Sequence, residues 1–425
     1  MKCNVVRNAV CGALATLLLQ PLAWAGTVPA SLPVAGDQLY ALPPEAAARR
    51  ALEALPQLRL GGINKELAGA ERDRLMAGPH EWIATAGLAR REVTGGDHFR
   101  EEEAGLERTV RWFGKAGQDR AIGDKGVDLA ESQRADLWHE AGRTLQRDWY
   151  AALTAQAAER RLAEQHELVQ RLRQVAERRV KAGDGAALEL MQADTELRRS
   201  SALLEQARLD VVQATSLLTT TYAGLPAPSA QELPEPRAAD AAGDMGLARL
   251  MDDNHELELA KVESEWEALR ARRAASERMP DPTVGVRVAR ERAGEERIVG
   301  LTLSVPLSGT LRSAESRAAA LRASMARERM QQTRQRVQVD AQRVLAEQAY
   351  RYRLWVELRD VAVQSERQAE LMERAYQANE ATLAEALLGR RLALDAALSA
   401  QTAQIAALAA SARVELDAHA LWRFD

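Results

Sequence analysis

At 425 residues, with 46% hydrophobic, 28% charged and only 4% aromatic residues, the chain is long enough for two or three domains but poor in the ring side chains of conventional cores. Abundant Ala, Arg, Glu and Leu point instead to long helices packed through small side chains. The net charge of -4, with no basic block, argues against a nucleic-acid partner.

The N-terminus carries Lys2 and Arg7, an apolar run over 13–19, and Ala23-Trp24-Ala25 ahead of Gly26. This is the order of a secretory signal, expected over 1–25 with cleavage after Ala25. Cys3 and Cys11 fall inside it, so the exported chain is expected to have no thiol, no disulfide and no cysteine placed for acylation. Past the signal no run of about 18 apolar residues is visible, so no helical membrane span is expected. A mature chain that crosses a membrane must then do so as a closed β-barrel, because lipid leaves unpaired strand edges unsatisfied.

Residues 26–44 read as an extended lead-in, punctuated by Pro and Gly. A helical pattern over 45–77, interrupted at Pro56, stops at Gly78-Pro79. The spacing then predicts a β-hairpin over 80–113, with strands over 80–93 and 99–113 and a turn at Gly95-Gly96-Asp97. In the return strand Ala104, Leu106, Val110 and Trp112 share a face with the discordant Arg108, opposite Glu101, Glu103, Glu107, Thr109 and Arg111. Residues 128–181 contain no proline and one glycine, Gly142, so a helix of about 60 residues, roughly 90 Å long, is expected. Ala182-Gly183-Asp184-Gly185 breaks it in a tip turn over 182–187, and a second helix follows over 186–222.

Residues 225–243 hold Pro226, Pro228, Pro234 and Pro236 and form the expected linker. After it the pattern repeats. A helix over 247–279 leads into a second hairpin over 282–306. There Val284, Val286 and Val288 alternate with Thr283, Gly285 and Arg287, and Val299, Leu301, Leu303 and Val305 with Gly300, Thr302 and Ser304. Each strand is near the roughly 9 to 11 residues of a tilted membrane strand, and apolar-out, polar-in alternation is what a barrel wall needs. A hairpin packed on its own helices is the other reading of that pattern.

Neither Gly nor Pro occurs over 310–388, and a tip turn is expected at 378–382, with Asn379 in the role of Gly183. Gly183 to Asn379 is a step of 196 residues, and Gly114 to Gly309 a step of 195. These landmarks give an internal duplication of helix, hairpin, long helix, turn and helix, over 45–224 and 244–425. The expected fold class is mainly α with β: long α-helical hairpins plus two β-hairpins per chain.

In these residues the chain resembles the TolC family of outer-membrane efflux channels. Asn254-His255-Glu256-Leu257 and Leu55-Pro56-Gln57-Leu58 are similar to the family's Asn-Pro-x-Leu helix starts, and Pro280-Asp281-Pro282 to its entry into a strand. Val305-Pro306-Leu307-Ser308-Gly309 resembles its strand-ending Pro-Leu-Phe-x-Gly. The segments beginning at Gly183 and Asn379 are similar to its Gly-x-x-(Ser/Thr)-x-x-(Asp/Glu)-(Leu/Val)-Leu tip turn. The resemblance implies a homotrimer that builds one 12-stranded barrel in outer-membrane lipid, continued by a periplasmic α-helical barrel. It also implies docking onto a periplasmic adaptor, a membrane fusion protein, and an inner-membrane pump. By the same resemblance Gly183, Ala187, Leu188, Asn379 and Leu383 are the expected adaptor contacts. Glu385, with Glu189 at the equivalent place, is the expected channel constriction. The short mature length and lack of a lipid anchor look most like the outer components of heavy-metal cation pumps, with drugs and secreted proteins as alternatives.

No cofactor, metal site or enzymatic activity is expected. The six histidines show no His-x-x-x-His pair, and neither a phosphate-binding loop nor a nucleophile elbow is present. The competing class is a periplasmic coiled-coil adaptor or scaffold. It should carry an N-terminal membrane anchor and a glycine-rich β-domain, which are not visible, whereas two amphipathic hairpins at matching places favour the channel.

Overall fold

The computed structural model describes residues 39–92, 94–239, 243–307 and 309–424. The expected signal over 1–25 and most of the lead-in lie outside them. The described chain runs α1 Glu45–Glu53, α2 Pro56–Ala77, β1 Trp82–Glu92, β2 His98–Thr109, α3 Lys115–Lys181 and α4 Ala187–Thr221. It continues through α5 Gly243–Asp252, α6 His255–Ser276, β3 Thr283–Glu291, β4 Glu296–Ser304, α7 Thr310–Gln377 and α8 Leu383–Asp417.

The two halves match in length. Helices α2 and α6 have 22 residues each, α3 and α7 have 67 and 68, and α4 and α8 have 35 each. At about 1.5 Å per residue the long helices span roughly 100 Å. Helices α2 and α4 pack against α3, and α6 and α8 against α7, while α6 and α8 also touch α3 and so join the halves.

Three sequence expectations change. The first long helix begins at Lys115 rather than near 128, running through Gly117, Gly123 and Gly126. Tertiary packing overrides glycine's poor propensity there: a Cβ on Gly123 would lie 2.7 Å from Arg72 Cγ and 2.9 Å from Arg72 Cα, so α2 rests on that bare backbone. The helix expected over 247–279 is two helices, because Asn254 caps the second, its Oδ1 accepting the Leu257 N–H at 2.9 Å. Finally, α8 is long and apolar enough to cross a membrane, with a mean hydropathy of 1.2 over its best 18 residues. Its alanines raise that value, and Ile405, Leu408, Ala412 and Leu416 are spent on the protein's own core.

The main core forms a waist around the helices. Trp138, Leu145, Trp149 and Tyr150 of α3 meet Leu52 of α1, Leu218 at the end of α4, and the apolar face of α8. Trp149 Nε1 donates to Ala41 O at 2.7 Å, Tyr150 Oη to Tyr40 O at 2.5 Å, and Trp138 Nε1 to Trp422 O at 2.7 Å. Gln404 Nε2 donates to Pro234 O at 3.0 Å. The segment before α1, the linker and the C-terminal tail are thus strapped to the waist by buried donors that would otherwise be unsatisfied.

At one end of the helices the strands form a single antiparallel sheet, in the order β1-β2-β3-β4. Each half supplies one hairpin, and the sheet's free edges are β1 and β4.

Candidate functional site

Strand register sorts the sheet's side chains into two faces. On one lie the rows Trp82, Arg108, Val284, Leu303; Ala84, Leu106, Val286, Leu301; and Ala86, Ala104, Val288, Val299. Among the described residues no helix covers this face: Leu301 is 86% exposed, and Trp82, Val299 and Leu303 are likewise open. Arg108, the discordant residue of the sequence pattern, sits over the Trp82 ring at 5.4 Å and donates to His80 O at 3.3 Å. Its charge thus reaches toward the helix end of the sheet, away from the apolar rows.

The opposite face carries Glu101, Glu103, Glu107, Glu291 and Glu296 against two arginines, Arg91 and Arg287. Both arginines are paired: Arg91 with Glu101 at 2.8 Å and Glu291 at 3.1 Å, and Arg287 with Glu103 at 3.1 Å. Gly105 and Gly285 hold this face close. A Cβ at either position would lie 2.6 Å from a threonine Oγ1, that of Thr85 or Thr302.

Where helix turns into strand, a charged clasp joins the repeats. Lys115 Nζ lies 2.8 Å from Asp281 Oδ1 and 3.1 Å from Glu277 Oε2. Asp281 also accepts the Trp112 N–H at 2.8 Å and pairs with His80 Nε2 at 3.0 Å. Arg111 and Arg273 converge on Asp119, and Arg111 also caps the carbonyls of Leu75 and Met76 at the end of α2.

At the other end of the molecule the two tip turns lie at the breaks expected from sequence. Gly183 and Asn379 both adopt positive φ, 78° and 62°. Each closes its helix in the same way: Gly183 N–H bonds Val180 O and Asp184 N–H bonds Arg179 O, as Asn379 does with Tyr376 and Glu380 with Ala375. Beyond the second turn Thr382 and Glu385 form a capping box, Glu385 Oε2 accepting from Thr382 N and from Thr382 Oγ1, both at 2.8 Å. These bonds hold the exposed Glu385 carboxyl below its ordinary pKa. The first turn has Ala186 where Thr382 stands, so it lacks this box, and Glu189 Oε2 is buried without a hydrogen-bond partner.

The tip residues do not form one surface. Leu188 is 63% exposed and Ala187 is open, but Leu383 is 0% exposed in a core with Leu172, Ala176, Ala193, Tyr376, Ala386 and Leu387. As an adaptor contact Leu383 is therefore a correction: in this chain its side chain faces inward and supports the turn. Tyr376, which sequence reasoning missed, joins the two tips. Its ring lies under the Arg179 guanidinium at 5.1 Å, and burial, then the nearby Glu189, raise its hydroxyl pKa.

A further grouping was invisible in sequence spacing. His139, His255 and His419 meet edge to face or tilted, with ring centroids 4.4 to 5.8 Å apart, and His139 Nε2 lies 3.1 Å from Asp417 Oδ1. Burial, and then the neighbouring His419 and His139, depress the His255 pKa to about 4. Asp417, bonded to His139 and flanked by Arg143 and Arg413, is held well below the carboxylate range despite its burial. Among the described residues no group of His, Cys, Asp and Glu is arranged to hold a metal ion.

The combination of a four-stranded sheet, open on its apolar face, with paired 100 Å-class helices matches solved structures. The outer-membrane channel CmeC of Campylobacter jejuni superposes with a TM-score of 0.72 at 15% identity, over 89% of this chain and 86% of that one. The fold is TolC-like. The outer-membrane protein VceC of Vibrio cholerae gives 0.72 at 13% identity, over 89% and 96% of the two chains. The open-state MtrE channel of Neisseria gonorrhoeae gives 0.64 at 17% identity, over 90% of each. No family model matches the sequence, and no curated protein does. In this fold the open sheet and the two tip turns lie at opposite ends of the paired long helices.

Proposed function

We propose that three copies of this chain close a 12-stranded barrel in the outer membrane and extend it as a helical tunnel. The assembly serves as the passive exit duct of a tripartite efflux system. The observation that carries this reading is the sheet itself: four strands with two free edges and an uncovered apolar face, which one chain can neither close nor bury. Further copies joined edge to edge remove the free edges, and lipid takes the apolar rows. The fold-level likeness to CmeC, VceC and MtrE supports the same arrangement.

At the tips, we propose that Gly183, Ala187, Leu188 and Asn379 meet a periplasmic adaptor carrying an inner-membrane pump, with Leu383 holding the turn from beneath. Glu385 and Glu189 are proposed to line the mouth there. We further propose metal cations as the cargo. The polar face of the sheet supports this, since five glutamates against two arginines leave each chain's share of the lumen acidic.

Fractionation and a deletion strain test the reading. The protein should follow the outer membrane, and loss of the gene should raise sensitivity to particular metal ions. Recovery in the soluble periplasm would favour the scaffold reading, and sensitivity to drugs alone would remove the metal assignment.

A further inference from the structure

The uncovered face of the sheet ends, toward the hairpin turns, in arginine. Beyond the row of Ala86, Ala104, Val288 and Val299 come Leu88, Glu102, Arg290 and Arg297, and then Arg90 beside Arg100. Arg90 stands directly opposite Arg100, and Arg290 directly opposite Arg297. Like charges placed opposite each other across a ladder repel. Among the described residues Arg90, Arg290 and Arg297 have no carboxylate partner, and Arg100 reaches only Glu102, at 3.6 Å. The polar face shows the contrary habit, with Arg91 and Arg287 both paired at 2.8 to 3.1 Å. The chain therefore pairs both arginines on one face, whereas at the turn end of the other four arginines share one carboxylate, Glu102, which pairs with Arg100 and stands opposite Arg290.

That level is defined by the apolar rows beneath it. Leu307, 94% exposed and three residues past the end of β4, marks the helix end of the uncovered face. From Leu307 to Arg297 is ten residues, three of them beyond the end of β4 at Ser304, so the span is at most about 34 Å at ~3.4 Å per residue and at most about 26 Å of height at a ~40° tilt. The apolar band of a membrane barrel is about 25 Å tall. In the barrel proposed above, on which this inference rests, the arginines stand where the hydrocarbon of the outer leaflet gives way to headgroups.

We infer that Arg90, Arg100, Arg290 and Arg297 form a binding site for the phosphate groups of a phosphorylated glycolipid in the outer leaflet. Guanidinium forks match phosphate oxygens two by two, and a bound dianion relieves the repulsion within both arginine pairs. The boundary with hydrocarbon strengthens each contact relative to bulk water. Threefold assembly repeats the site around the barrel, so lipid would be held as a ring.

The test uses the full-length protein extracted from outer membranes, with lipopolysaccharide, its phosphatase-treated form and inorganic phosphate as probes. The variant R90Q/R100Q/R290Q/R297Q should bind lipopolysaccharide at least about tenfold more weakly, the equivalent of one lost charge-assisted hydrogen bond. Phosphatase treatment should weaken binding to the wild type by a similar factor, and substitution of all four by Lys, which keeps the charge but loses the two-by-two fork, should bind between the wild type and the Gln variant. If the fourfold Gln variant fails to assemble, R90Q/R100Q and R290Q/R297Q, each confined to one hairpin, should each lose part of the binding. Unchanged binding in assembled variants, or equal binding of the dephosphorylated lipid, overturns the inference. Full competition by inorganic phosphate overturns the lipid assignment in favour of a free-anion site. A wild-type protein that does not fractionate with the outer membrane would overturn the channel reading itself.

Discussion

Lys115, the first residue of α3, places its ammonium 2.8 Å from the carboxylate of Asp281, the residue two before β3. The pair joins the long helix of the first repeat to the hairpin of the second, and Lys115 is 1% exposed. Breaking a buried pair leaves an uncompensated charge. Lys115→Met should therefore lower unfolding stability in detergent by about 3 to 5 kcal/mol. Lys115→Met/Asp281→Leu should recover part of that loss. A single variant within about 0.5 kcal/mol of wild type, the range of ordinary surface changes, would show that the clasp is not structural.

At the tip, Asn379 accepts a left-handed backbone that a Cβ-bearing residue without a short polar side chain tolerates poorly. Asn379→Ala should destabilise by about 1 kcal/mol and Asn379→Gly should be neutral or better. The thermal midpoint of the assembled protein measures this, and equal midpoints for the two variants would contradict it.

Two roles of Glu385 can be separated because glutamine also completes a capping box. Glu385→Gln keeps the bonds to Thr382 and removes the charge, whereas Glu385→Ala removes both. If Glu385 lines the mouth, multivalent cations should block bilayer conductance of the wild type and block the Gln and Ala variants less. Block that is unchanged in Gln but altered in Ala would assign Glu385 to the cap alone.

The histidine cluster gives a pH dependence of definite sign. His255 has its pKa lowered to about 4 from the ordinary 6.5, and that of His419 is lowered too, so the unfolded chain binds protons more readily than the folded one. Stability present above about pH 6.5 should be lost as pH falls toward 4. Asp417 adds a second loss below the ordinary carboxylate range, since its stabilisation is present above the unfolded pKa of 3.8 and disappears on acidification. Thermal midpoints from pH 7.5 to 4.5 should decline for the wild type and decline less for His255→Gln. Parallel curves would contradict the assignment.

Much of this architecture was legible in the sequence because its signals are local and repeated. Alternation at Val284, Val286 and Val288, the paucity of Gly and Pro along the long helices, and the paired breaks at Gly183 and Asn379 each depend on a few neighbouring residues. What escaped depends on contacts across the fold. The helical start at Lys115 follows from Arg72 lying on Gly123, and the inward turn of Leu383 from a core assembled by two separate hairpins. His139, His255 and His419 stand far apart in the chain and meet only when α8 returns along α3. The tip motif was readable as a pattern, but its physical content was not: Asn379 stops one helix, Thr382 starts the next, and Glu385 completes the cap.

The most direct measurement of the central claim is the mass of the species extracted from outer membranes in mild detergent, taken together with its single-channel conductance. The account predicts a monodisperse particle of three chains, with native strand content, that opens steady conductance steps in a planar bilayer. A monodisperse monomer with the same strand content and no conductance would contradict it.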